Sequence, residues 1–162
     1  MKRIAPGLVA ALAVLALVGT TDCSDDDEWG CEPGVPCECR GGDRCLLDCS
    51  DIDNCIPVCS SAPICSVRCG TNCQYHCSDI TDCDLSCADG CSATCTRVGS
   101  CSASVGPGSE VDCSNLGSCD VRCSGDCLVR CASVGDCTVT CLSGSAPIDC
   151  GDYVTRVCDR PC

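Results

Sequence analysis

Cysteine carries most of the chemistry open to this chain, at 27 of 162 positions. Thiols at that density can crosslink as disulfides, bind soft metals as thiolates, or act as nucleophiles. Spacing separates these uses. Thiolate metal clusters of the metallothionein kind are dominated by C-x-C and C-x2-C, and only Cys37-Glu38-Cys39 has that form here. The one histidine, His76, falls in an outward slot beside Tyr75, where a solvent-facing side chain is expected rather than a ligand or general base. No Gly-x-Ser-x-Gly, phosphate loop or His-Glu-x-x-His pattern occurs. The chain's lysine is Lys2, within an expected leader, which removes amine-based covalent catalysis from the mature chain. We therefore expect no catalytic residue, no metal site and no cofactor, and read the cysteines as crosslinks.

The elements that would position those crosslinks repeat every 18 residues. Blocks begin at Cys65, Cys83, Cys101 and Cys119. A further block from Cys137 slips by one residue to end its cysteines at Cys150, and an earlier one from Cys45 has two extra residues in its first turn. Each block reads C-x-Φ-x-C, three residues, C-x-Φ-x-C, then five residues with an apolar one third. The first Φ is Val67, Leu85, Ala103 or Val121, and the second is Tyr75, Ala93, Val111 or Val129. Alternation over five residues puts Cys, Φ and Cys on one face of a short strand. The opposite face carries pairs such as Ser66/Arg68, Asp84/Ser86, Ser102/Ser104, Asp120/Arg122 and Thr138/Thr140. Spacers such as Gly70-Thr71-Asn72 and Ala88-Asp89-Gly90 are turn material. The closing five residues place Ile80, Val98, Leu116 and Val134 at one offset, implying a third buried side or a covering corner. C-x3-C would also suit one helix face, but the intervening Gly, Asp, Asn, Ser and Thr are poor helix formers.

The expected fold class is all-β: disulfide-stapled repeats forming a thin β-solenoid, with an array of stapled β-hairpins as the alternative. A disulfide needs Cα atoms about 4.4–6.8 Å apart, whereas facing sheets sit ~10 Å apart, so staples across a solenoid require an unusually thin one. The block from Cys101 keeps its outer cysteines but has Val105 and Ser109 in the inner places. Joint loss predicts inner partners: Cys49–Cys55, Cys69–Cys73, Cys87–Cys91 and Cys123–Cys127. The outer pairs expected are then Cys45–Cys59, Cys65–Cys77, Cys83–Cys95, Cys101–Cys113, Cys119–Cys131 and Cys137–Cys150. Parity, not geometry, carries this scheme. It leaves three cysteines at each end, Cys31, Cys37 and Cys39, and Cys141, Cys158 and Cys162. The segment Val105-Gly106-Pro107-Gly108-Ser109 reads as a coil with a relaxed corner.

The remaining composition cannot fold by burial. Phe is absent and the net charge is −13. Leu, Ile and Val supply 23 of the residues beyond position 19, roughly 16%, below the ~20% at which such charged chains stay disordered. Crosslinks must stand in for a core, and they persist only in an oxidising compartment. Lys2 and Arg3 followed by the apolar run Leu8 to Val18 fit a secretory signal over residues 1–19. Its removal leaves eight arginines against 23 acidic residues, a charge of −15 that disfavours nucleic acid and anionic membranes. Residues 20–30 read as an acidic spacer, its Asp25–Glu28 block solvated rather than calcium-binding, with a lipid anchor possible at Cys23. The expected layout continues with an N-terminal cap (31–44), a repeat domain (45–150) and a C-terminal cap (151–162).

Strings of C-x-V-x-C and C-x3-C behind a signal and a Cys-Ser-acid start resemble the cysteine-rich repeat lipoproteins and secreted proteins of Gram-negative bacteria, of the myxobacterial type. That resemblance implies an exported, surface-associated protein in the outer membrane or secreted, and supplies no catalytic residues. Stapled solenoids are also similar to insect antifreeze proteins, whose ranked Thr-x-Thr pairs occur here once, at Thr138/Thr140. The function expected is a non-enzymatic structural or binding protein of the cell envelope, with an unidentified protein or surface partner and membrane contact only through the anchor. Metallothionein-like metal binding and a secreted inhibitor or toxin-like factor are the alternatives.

Overall fold

The computed structural model describes residues 31–39 and 42–162. The alternating blocks fold as strands: β1 (Pro36–Cys39), β2 (Arg44–Cys49), β3 (Ile56–Cys59), β4 (Ile64–Cys69), β5 (Gln74–Ser78), β6 (Asp82–Cys87), β7 (Ser92–Thr96), β8 (Ser100–Val105), β9 (Ser109–Cys123), β10 (Cys127–Cys141), β11 (Ile148–Asp149) and β12 (Thr155–Cys158). They form a parallel β-solenoid. One face stacks β2, β4, β6, β8 and the second half of β9, and the other stacks β1, β3, β5, β7 and the first half of β9. Strands β9 and β10 run through the five-residue corner without a break, so each contributes to both faces. Each coil stacks on the next at the 18-residue period: Cys65 lies beside Cys83, Cys83 beside Cys101, and Cys101 beside Cys119.

Two columns of small apolar side chains fill the interior. Val67, Leu85, Ala103 and Val121 come from one face, and Tyr75, Ala93, Val111 and Val129 from the other, all essentially inaccessible to solvent. Size alternates where space is tight, since Tyr75 is followed in its column by Ala93. The third apolar residue of the five-residue corner joins the same cluster: Val98 and Leu116 are buried, and Ile80 and Val134 are partly so. It is a covering corner.

The two corners use different backbone devices. The three-residue corner turns through positive φ at its last residue in four blocks, at Asn54, Asn72, Gly90 and Gly108, but not in the block from Cys119. In the five-residue corner positive φ falls instead on Asp79, Arg97, Asn115 and Ser133. The glycines there serve close approach: a Cβ on Gly117 would lie 2.7 Å from the Gly99 carbonyl oxygen.

At the C-terminal end the chain reverses. β12 pairs antiparallel with β10, setting Cys158 beside Cys127, and β11 pairs only with β12. The block expected to run on to Cys150 therefore ends after Cys141, because β12 takes the place of its second strand. At the other end β1 pairs in parallel with β3, so residues 36–39 already belong to the stack.

Candidate functional surfaces and the sulfur columns

Strand alternation sends the cysteines inward, and the described residues form thirteen disulfides. The three-residue corner is closed by Cys49–Cys55, Cys69–Cys73, Cys87–Cys91 and Cys123–Cys127. The outer scheme needs correction. In place of Cys45–Cys59, Cys65–Cys77, Cys83–Cys95, Cys101–Cys113, Cys119–Cys131 and Cys137–Cys150, each outer cysteine bonds across the five-residue corner. The bonds are Cys39–Cys45, Cys59–Cys65, Cys77–Cys83, Cys95–Cys101, Cys113–Cys119 and Cys131–Cys137.

The physical reason is the coil itself. Cys65 and Cys83 are neighbours on adjacent strands, so Cys77 meets two equivalent partners one rung apart. The corner that follows Cys77 delivers Cys83, at a Cα separation of 6.5 Å. Staples thus join strand ends where the faces converge, and no bond has to cross between sheet centres. Shifting the pairing by half a block also resolves the ends. Cys31 bonds Cys37, Cys141 bonds Cys158, and Cys150 bonds Cys162. All 26 cysteines from Cys31 onward are paired. Cys23 is the remaining one, and it lies outside the described residues, as do the signal expected over residues 1–19 and the spacer expected over 20–30.

The interrupted block keeps its corner in the stack. Val105 stands between Cys87 and Cys123, and Ser109 beside Cys127. Ser109 is fully buried, and its Oγ accepts a hydrogen bond from the Cys91 backbone N–H at 3.1 Å.

The surfaces that could meet a partner are the outward ranks. On one face Ser66, Asp84, Ser102, Asp120 and Thr138 form one rank, and Arg68, Ser86, Ser104, Arg122 and Thr140 the next. On the other, His76 is exposed between Val58 and Thr94. Neighbouring rungs neutralise some of the acidic charge. Arg97 donates to both oxygens of Asp79 at 2.7 Å, holding that carboxyl below its ordinary pKa. Ser100 Oγ donates to Asp82 at 2.5 Å, and Arg130 lies 3.8 Å from Glu110 and 4.0 Å from Asp112. An open concavity beside the five-residue corners is lined by Ser61, Ala62, Pro63, Ile80 and Thr81 around the Asp79–Arg97 pair.

Among the described residues, four groups of three side chains sit close enough to share a metal ion, and all are disulfide-bonded cysteines; His76 belongs to none of them. Sequence reading missed the buried Tyr75 hydroxyl, which has no hydrogen-bond partner. Burial pushes its pKa up beyond the ordinary phenol range. Compared with known proteins, the chain matches no family model, no curated protein and no solved structure.

Proposed function

We propose that this is an exported, non-enzymatic rod of the cell envelope, stapled for durability and binding a partner through its outward polar ranks. The observation that carries this reading is the pairing of all 26 cysteines from Cys31 onward, which requires an oxidising compartment. A stack of strands stapled at both corners has few places for a protease to enter, a property suited to a surface-exposed module. The complete pairing from Cys31 onward leaves Cys23 without an intramolecular partner, which favours its use as a lipid anchor ahead of the acidic spacer. The net charge of −13 favours a cationic or neutral partner surface over nucleic acid.

Intact mass of the native protein, before and after alkylation without reduction, tests the reading. A diacylglyceryl and acyl increment on Cys23, with no alkylation elsewhere, is the expected result. Extensive alkylation together with bound zinc would overturn it and favour the thiolate metal-binding alternative, for which the four sulfur groups would supply the donors.

A further inference from the structure

The Sγ atoms of Cys45, Cys59 and Cys65 all lie within 4.8 Å of one another, and all three residues are buried. Cys59 is bonded to Cys65, while Cys45 is bonded to Cys39. The strand register explains the cluster. Cys59 ends β3 and faces the first-face column in which Cys45 and Cys65 are direct neighbours on β2 and β4. A bond from Cys59 to either closes the same corner, differing by one rung.

We propose that Cys45, Cys59 and Cys65 form a thiol–disulfide exchange centre that moves a reduced cysteine along the solenoid. An external dithiol first reduces Cys39–Cys45, giving two protein thiols and the oxidised dithiol. The Cys45 thiolate then attacks the Cys59 sulfur; the Cys45–Cys59 bond forms, the Cys59–Cys65 bond breaks, and the Cys65 thiolate leaves. This exchange conserves electrons and transfers one thiolate from β2 to β4. Cys65 is in turn the neighbour of Cys83, whose staple to Cys77 repeats the same register one rung on. The inference rests on the fold alone and stands apart from the envelope reading.

Cys39→Ser tests the exchange without a reductant, because it leaves Cys45 as the new thiol. The full chain is equilibrated under native conditions, quenched in acid to block reshuffling, unfolded and alkylated with a maleimide at that acidic pH, digested with pepsin, and mapped by mass spectrometry; label on Cys23 is scored separately. Most of the remaining label is expected on Cys65 or a cysteine further along the column, with a Cys45–Cys59 crosslink. Label confined to Cys45, with Cys59–Cys65 intact, would overturn the proposal. Cys65→Ser runs the centre backwards and serves if the first variant does not fold. It frees Cys59, and the expected product is Cys45–Cys59 with label on Cys39; label retained on Cys59 counts against the centre.

Discussion

Tyr75 and Ser109 show how single residues depart from the repeat, and each carries a prediction. The Tyr75 ring fills a place held in the coils that follow by Ala93, Val111 and Val129, and its hydroxyl is buried without a partner. An unsatisfied buried hydroxyl costs about 1–3 kcal/mol, so Tyr75→Phe is expected to stabilise the fold by about 1 kcal/mol in denaturant unfolding under non-reducing conditions. Burial also raises the Tyr75 pKa, so the folded state holds its proton more tightly than the unfolded chain. Stability from this group is complete below the ordinary phenol pKa of about 10 and falls as pH rises above it. Tyr75→Phe should therefore flatten the alkaline decline seen by circular dichroism. Position 109 offers the complementary test. Val105 and Ser109 occupy the places of a staple, and the equivalent cysteines one block earlier, Cys87 and Cys91, are bonded at a Cα separation of 6.5 Å. Val105→Cys with Ser109→Cys should form a fourteenth disulfide and, for so short a loop, add about 2 kcal/mol. Two free thiols in the folded double variant would contradict that corner geometry.

At the scale of the element, the 18-residue period and the inward Φ positions were legible because strand alternation and stacking impose both directly. Val67, Leu85 and Val121 line up in register as the period requires. The pairing frame was not legible. Cys65 and Cys83 are equivalent in sequence pattern and adjacent in space, so a parity argument has no means of choosing between them for Cys77. The C-terminal cap was hidden for a different reason: Cys158 reaches Cys141 only because β12 reverses direction, and no repeat predicts a reversal. The corner glycines were visible, but their role was not. Gly99, Gly117 and Gly135 stack so that a side chain on one would strike the carbonyl of the coil before it. Gly117→Ala, whose Cβ would meet backbone that has little room to yield, should destabilise the fold by about 1–3 kcal/mol. An unchanged denaturation midpoint would show that this corner is looser than its spacing implies.

For the whole molecule, composition and architecture answer each other. A chain with no Phe and few large aliphatics cannot build a wide core, and a narrow two-faced coil needs only one small side chain per strand. The disulfides supply the rest at both corners of the stack, apart from the Val105/Ser109 gap. Stability is therefore expected to depend on the thiol redox state as a whole, and full reduction should unfold the chain even without denaturant. The claim on which everything else rests is that the outer staples close the five-residue corners, joining the end of one coil to the beginning of the next. Its most direct test is a disulfide map of the native protein, digested at acidic pH without reduction. The account predicts Cys77–Cys83 and Cys95–Cys101 crosslinks; recovery of Cys65–Cys77 and Cys83–Cys95 in their place would contradict it.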